Sequence, residues 1–160
     1  MIYRYTVGFS DIDFARVLFY GRFQYLVQQG SEHWQHQHGL FYRDLPDQDL
    51  AMPISAAFCR YLAPVRVEEV VLVRMGLKDL NARGFTFAYD MVKEEGGQRV
   101  AWGYLERRFV SSAERRPREA PEAVQAMLQA MAAESAQFVA EEWSPLLPDG
   151  RGPRVERPAG

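Results

Sequence analysis

The sequence contains one cysteine, Cys59, and no long run of hydrophobic residues. A single cysteine cannot form an intrachain disulfide, and no apolar run approaches the roughly 18 residues that a membrane-spanning helix requires. The first residues, Met1 to Arg4, are not followed by the apolar segment of a secretion signal. We therefore expect a protein of the reducing cytoplasm that is not inserted in a membrane.

An excess of charge of one sign is also missing. The 19 Lys and Arg residues nearly balance the 21 Asp and Glu residues, so the formal net charge is -2. Such a chain has no overall field that would attract nucleic acid or an anionic membrane, and we expect neither as a partner. A ligand with phosphate groups would have to be held by a local group of basic residues.

The chain does have enough hydrophobic sequence for one buried core. Of its 160 residues, 48% are hydrophobic and 13% are aromatic, which suits one domain rather than two. We assign this domain to residues 1–143, including a C-terminal helix that starts near residue 120. Residues 144–160 contain four prolines and three glycines. This composition predicts a flexible tail without a core of its own.

The pattern of apolar residues predicts one strand, one long helix and then four strands. Residues 2–9 are typical of a strand, and the segment from Tyr20 to His38 is typical of a helix of about five turns that ends before Gly39. Four segments rich in β-branched and aromatic residues follow, at residues 52–63, 67–78, 84–94 and 98–111. Short turns between them favour hairpins. We therefore predict an α+β protein whose curved antiparallel five-stranded sheet wraps around the long helix.

The residues before the long helix form a recognisable motif. An acidic pair, Asp11 and Asp13, is followed by the small residue Ala15 and by an apolar, aromatic run up to Tyr20. With the Gly-Leu at residues 39–40, this order resembles the 4-hydroxybenzoyl-CoA thioesterase-like family of acyl-CoA thioesterases. The resemblance implies a hotdog fold. It also implies hydrolysis of a thioester to a free acid and coenzyme A, with no metal or organic cofactor.

The resemblance implies a role for the second carboxylate and for the start of the helix. Asp13 would act as a general base or as a nucleophile, and the backbone N–H of Tyr20 would stabilise the oxyanion. Phe19 and Phe23 would line the acyl pocket. We expect Arg16 and Arg83 at the substrate, because a guanidinium group matches phosphate oxygens.

Both carboxylates also have a purely structural interpretation, since Asp is favoured before a helix for its hydrogen bonds alone. We prefer that interpretation for Asp11, which we expect to hold the turn. For Asp13 the resemblance favours catalysis over a structural role.

Two residues depart from the family motif. Arg16 stands where the motif has Gly, and Arg22 stands where it often has Asn. These departures leave open a hotdog protein that binds acyl-CoA or acts as a scaffold without hydrolysing it. A hotdog hydratase or dehydratase is a further alternative. Such an enzyme would need a His near its carboxylate, and none of the three His lies near Asp13 in the sequence.

The three histidines, His33, His36 and His38, do not have the spacing of a metal site. The first two can share a face of the helix, but the third falls off that face. No Cys or acidic residue completes a tetrahedral set at a recognisable interval. We predict no metal ligands in this chain.

An open sheet edge predicts self-association. Pairing of edges across a two-fold axis would cover it, so we expect a homodimer or homotetramer with the acyl pocket at the subunit interface. The substrate would be a thioester of coenzyme A or of acyl carrier protein, and the sequence favours neither carrier.

Overall fold

The computed structural model describes residues 1–143, and the predicted tail at residues 144–160 lies outside this part. One antiparallel sheet contains all five strands of the described chain: β1 (Ile2–Thr6), β2 (Ile54–Tyr61), β3 (Val70–Asn81), β4 (Gly84–Lys93) and β5 (Arg99–Arg108). Helix α1 (Tyr20–Gln37) follows β1, and helix α2 (Glu122–Phe138) follows β5. Across the sheet the order is β1-β3-β4-β5-β2, so β1 and β2 are its edges. Neither helix combines the length and the hydropathy that crossing a bilayer demands.

The core lies between α1 and the sheet. Phe85, Phe87, Tyr89 and Met91, which alternate along β4, are all buried, as their spacing predicts. The Trp34 ring of α1 lies 5.8 Å from that of Phe87.

The close approach of helix α1 to the sheet depends on Gly30, which has no side chain. A Cβ built on Gly30 would lie 3.2 Å from both Met75 Sδ and Tyr3 Cβ. A larger residue would therefore push α1 away from the sheet. The absence of a side chain at this position thus allows the close approach of α1 and the sheet.

Helix α2 packs on its own sheet, against β3. The hydroxyl of Ser135 accepts a hydrogen bond from the Leu77 N–H at 2.9 Å. A π-helical turn (Val139–Trp143) follows α2, and its Trp143 packs with Ala88 and Trp102 in a second, smaller cluster. The end of the described chain is thus held to the sheet.

One predicted pairing is wrong. We expected successive hairpins, but β2 pairs with β5 and not with the next strand, β3. Residues 62–69 instead run past the acidic turn, where the Leu18 N–H donates to Val65 O at 2.7 Å and the Glu68 N–H donates to Val7 O at 2.8 Å. This crossing segment replaces the expected hairpin and forms one wall of the candidate site.

Strand boundaries also differ from the predicted ones. The first strand ends at Thr6 instead of residue 9, because Phe9–Asp11 form a 3-10 turn. Strand β3 begins at Val70 instead of residue 67, since Glu68 has a φ of +70° and interrupts the extended backbone.

Candidate active site

The residues predicted for catalysis lie in a tight turn between β1 and α1. The Asp13 N–H donates to Val17 O at 3.0 Å, and the Arg16 N–H donates to Asp13 O at 2.9 Å. One oxygen of the Asp13 carboxylate, Oδ1, accepts a hydrogen bond from the Ala15 N–H at 2.8 Å. The turn therefore fixes the direction of the Asp13 side chain and leaves its second oxygen, Oδ2, without a protein donor in the described chain.

Arg16 occupies the position of this turn that glycine normally takes. Its φ of +60° lies in the left-handed region. This is the conformation that the last residue of a three-residue hairpin loop usually adopts. A residue with a Cβ adopts this conformation at a cost of roughly 1–2 kcal/mol. The turn therefore has a left-handed residue at this position, and the strain of Arg there is tolerated.

The Arg16 side chain does not neutralise Asp13. Arg16 is exposed, and within residues 1–143 no ion pair joins it to the Asp13 carboxylate. The guanidinium of Arg16 therefore does not occupy the Asp13 carboxylate, whose contact in the described chain is the hydrogen bond from the Ala15 N–H.

We expect Arg16→Gly to raise the free energy of unfolding by about 0.5–1 kcal/mol, because glycine adopts the left-handed conformation without steric cost but loses more chain entropy. Urea unfolding measures the change. Arg66→Gly is a matched control, since Arg66 is also exposed but its φ is not positive. It should lower stability. A loss of stability in both variants would mean that Arg16 is not strained.

Asp11 has a structural role, as we predicted. It is 4% exposed, and its Oδ2 accepts hydrogen bonds from the Tyr5 hydroxyl at 2.7 Å and from the Gly8 N–H at 2.8 Å. Its Oδ1 lies 3.3 Å from Nε of Arg22. Burial and the Asp11 carboxylate raise the pKa of Tyr5 to about 12, so this hydroxyl remains a donor at neutral pH. Arg22, the second departure from the motif, therefore holds Asp11 and not Asp13.

Helix α1 begins at Tyr20, so the Tyr20 N–H has no acceptor inside the helix. The preceding residue, Phe19, provides no side-chain cap. The first N–H groups of a helix carry the positive end of its dipole, about half an elementary charge. This helix start can therefore donate to an anionic oxygen of a ligand.

A cleft of about 380 Å³ brings three of the predicted residues together, Asp13, Tyr20 and Phe23. Its opposite wall is the segment from Tyr61 to Pro64, where β2 ends. The Tyr61 ring meets Phe23 edge-on at 5.1 Å, and the Tyr61 hydroxyl donates to Tyr20 O at 3.3 Å. Burial and neighbouring Cys59 raise the pKa of Tyr61 to about 12. The cleft thus combines a carboxylate, a helix start and apolar walls.

Three predicted substrate residues, Arg16, Phe19 and Arg83, do not line this cleft. The Phe19 ring packs on that of Tyr20 at 4.5 Å but does not line the cleft. Arg83 lies in the turn between β3 and β4 and lines a separate cleft of about 640 Å³ with Arg108 and Arg118. Within one chain the structure therefore does not bring Arg83 to Asp13.

The sequence did not identify Tyr61 as a site residue. The place of residues 61–64 opposite Asp13 follows from the crossing segment, which the sequence did not predict. Residues 1–143 contain no group of three or more His, Cys, Asp or Glu side chains that could hold a metal ion. His38 instead lies 3.0 Å from Glu134, and His36 stacks on Phe41 at 4.9 Å.

The sequence of this region matches a known family. The Thioesterase-like superfamily matches residues 7–128, which include the turn, α1 and the whole cleft. The chain belongs to this superfamily. Its five-stranded antiparallel sheet around one long helix is the hotdog fold, as we predicted.

Solved hotdog structures agree with this fold. A 1,4-dihydroxy-2-naphthoyl-CoA thioesterase from Synechocystis superposes with a TM-score of 0.76 at 22% identity, covering 80% of this chain and 94% of its own. A gentisyl-coenzyme A thioesterase gives 0.70 at 23% identity, covering 80% and 99%. A Staphylococcus aureus protein solved in complex with CoA gives 0.77 at 14% identity, covering 82% and 83%. At these identities the superpositions establish the fold alone.

Proposed function

We propose that this member of the Thioesterase-like superfamily is an acyl-CoA thioesterase. The observation that supports the proposal is the cleft that Asp13 and Tyr20, the first residue of α1, line together. Hydrolysis of a thioester needs a group that activates water or attacks the acyl carbon, together with a donor for the oxyanion. The cleft supplies both.

In the proposed reaction Asp13 acts on the thioester carbonyl carbon. As a general base it takes a proton from a water molecule that attacks this carbon; as a nucleophile it forms an anhydride that water then opens. The Tyr20 N–H donates to the oxyanion, and such a donor typically contributes about 2.7–4 kcal/mol. Collapse of the tetrahedral oxyanion breaks the C–S bond, which gives the acid directly in the general-base route and the anhydride, before water opens it, in the nucleophilic route. The coenzyme A thiolate leaves and takes up a proton.

The walls of the cleft suit an acyl group. Phe23, Tyr61 and Leu62 give it an apolar lining, and we place Phe19 at its rim beside Tyr20. Two of the solved relatives are thioesterases of aromatic acyl-CoA substrates, and a third binds CoA. Their similarity supports a coenzyme A thioester as substrate, with acyl carrier protein as the alternative carrier.

Arg16 and Arg83 are the proposed contacts for the phosphates of coenzyme A. Neither guanidinium makes a hydrogen bond or an ion pair in the described part of the chain. Arg16 lies on the exposed turn next to the cleft. Arg83 lies in another cleft of the same chain, so in this proposal it contacts a coenzyme A molecule whose thioester lies at Asp13 of a second subunit.

The two alternatives lose support. A protein that only binds acyl-CoA was suggested by Arg16 and Arg22, but Arg22 pairs with Asp11 and no ion pair in residues 1–143 links Arg16 to Asp13. A hydratase would need a nearby His. The first His of α1, His33, lies 13 residues after Tyr20, which is about 20 Å along the helix.

One substrate panel distinguishes these functions. Aromatic, short and long acyl-CoA thioesters are incubated with the protein, and free thiol and the acyl product are measured. A thioesterase releases thiol and acid in equal amounts, a binding protein retains the thioester, and a hydratase changes the acyl double bond. Absence of thiol release from every thioester would refute the proposal.

We further propose that the protein is a dimer that pairs through β2. The described chain exposes large apolar residues near the cleft: Phe9, Phe14, Phe19, Tyr20, Tyr61 and Leu62. The other edge strand, β1, carries an exposed ion pair between Arg4 and Glu94 at 2.7 Å. Charged side chains of this kind protect an edge from pairing.

Sedimentation equilibrium at micromolar concentration should give at least twice the 18.4 kDa mass of the chain. Ile54→Lys on β2 should weaken association, because a charge would enter the apolar contact. Ile2→Lys on β1 is the matched control, since Ile2 and Ile54 are 61% and 50% exposed, and it should have no effect. A compact 18.4 kDa species of the unmodified chain would refute the dimer.

A further inference from the structure

A buried arginine near the end of β5 lacks an acidic partner. Arg107 is 4% exposed, and its Nη1 and Nη2 donate to Met52 O at 2.7 Å and to Gln28 Oε1 at 2.6 Å. Its Nε has no acceptor in the described residues, and no carboxylate there forms an ion pair with it. Burial of a cation without a bonded anion is unfavourable by several kcal/mol.

The neighbours of Arg107 do not replace that anion. The Tyr42 ring lies 5.3 Å from the guanidinium carbon and offers a cation–π contact. Glu32 is the acidic residue that acts on Arg107 over a longer distance, but its Oε1 accepts a hydrogen bond from Gln28 Nε2. Burial lowers the pKa of Arg107. The guanidinium therefore retains an unused donor in an apolar setting.

Arg107 lines a cleft of about 430 Å³ between α1, β2 and β5. Ile54, Ala57 and Leu105 contribute apolar wall, and Gln24 and Gln28 are its polar residues on α1. A buried cation that has no ionic partner in the described residues and lines a largely apolar cleft indicates a ligand that brings an anionic acceptor.

This cleft lies further along α1 and β2 than the one that Asp13 lines. Tyr20, Gln24 and Gln28 are spaced four residues apart, so they follow one face of α1. Tyr20 lines the first cleft and Gln28 the second, and eight residues correspond to about 12 Å along the helix. On the other side, β2 places Tyr61 at the first cleft and Ala57 at the second. The two clefts thus follow each other along the seam between α1 and β2.

We infer that Arg107 is a specificity-determining residue that selects acyl groups with a carboxylate at the end remote from the thioester. The inference rests on the proposed thioesterase function, which places the thioester at Asp13 and Tyr20. The acyl group would then lie along the apolar seam, and its carboxylate would accept hydrogen bonds from the guanidinium of Arg107. A charge-assisted hydrogen bond to a buried guanidinium discriminates strongly against a methyl group at the same position.

The test compares acyl-CoA pairs of equal length that end in carboxylate or in methyl: succinyl and butyryl, adipoyl and hexanoyl, suberoyl and octanoyl. For at least one length the unmodified protein should prefer the carboxylate by tenfold or more in kcat/KM. The Kd values of the same pairs are measured on Asp13→Asn protein. That measurement tests the inference even if no thioester is hydrolysed, so the two proposals can fail separately. Preference for methyl, or equal values, at every length would overturn the inference.

Variants separate recognition from a structural role. Arg107→Gln should reduce the carboxylate preference to nearly one, and Arg107→Lys should restore part of it. Arg4→Gln, which removes a surface arginine of β1, should leave the preference unchanged. A purely structural Arg107 would lower the melting temperature without altering the preference, and that result in folded Arg107→Gln protein would refute the inference. If Arg107→Gln does not fold, the acyl-CoA pairs measured on the unmodified protein still test whether a terminal carboxylate is preferred.

Discussion

Replacement of Asp13 by Asn is expected to leave the protein folded and to lower kcat by about 10²- to 10⁴-fold, the usual contribution of a general base. The amide oxygen of Asn can still accept the hydrogen bond from the Ala15 N–H, so the turn should keep its shape. The amide cannot take a proton from water or attack the thioester as a carboxylate does. Thiol release under saturating substrate measures the loss.

The control for this variant is Asp47→Asn. Asp47 is an exposed aspartate in a 3-10 turn away from the cleft. The Asp47→Asn protein should therefore retain full activity. Unfolding curves of both variants should coincide with that of the unmodified protein. A folded Asp13→Asn protein with nearly full turnover would exclude Asp13 as base and as nucleophile.

Replacement of Asp11 by Ala is expected to affect stability first, by about 2–4 kcal/mol. The variant loses the buried acceptor of the Tyr5 hydroxyl and of the Gly8 N–H, and it leaves Arg22 without its carboxylate. The free energy of unfolding in urea measures the effect. Because Asp11 does not line the cleft, activity should fall only in proportion to the loss of folded protein.

Asp44→Ala provides the comparison for this second variant. Asp44 forms an exposed ion pair with Arg43 at 3.4 Å, and such pairs contribute about 0–1 kcal/mol. The free energy of unfolding of Asp44→Ala should therefore fall only slightly. A similar change in stability for Asp11→Ala and Asp44→Ala would mean that Asp11 does not hold the turn.

Local sequence patterns were sufficient to predict the elements of this fold. The 3.6-residue repeat of α1 and the alternation in β4 were predicted correctly, because each depends on neighbours within the element. The prediction that α1 ends before Gly39 was also correct, since Gly39 has a φ of +78°. The turn of the acidic pair was recognisable because it is short and contiguous in sequence.

Contacts between distant residues could not be predicted in this way. The bond from Arg107 to Gln28 joins residues 79 positions apart, and no local pattern in β5 indicates that one arginine is buried while its neighbour Arg108 is half-exposed. The pairing of β2 with β5 was missed for the same reason. Arg83 was proposed from its charge alone, and charge does not determine which cleft a residue lines.

A crystal structure of Asp13→Asn protein with an acyl-CoA would show where the thioester binds, because the variant should bind it without cleaving it. We expect the thioester carbonyl in the cleft of Tyr20 and Phe23, with its oxygen about 2.7–3.1 Å from the Tyr20 nitrogen. The residue at position 13 should face the carbonyl carbon. A thioester bound elsewhere, or one whose carbonyl points away from the start of α1, would rule out the proposed roles of Asp13 and Tyr20.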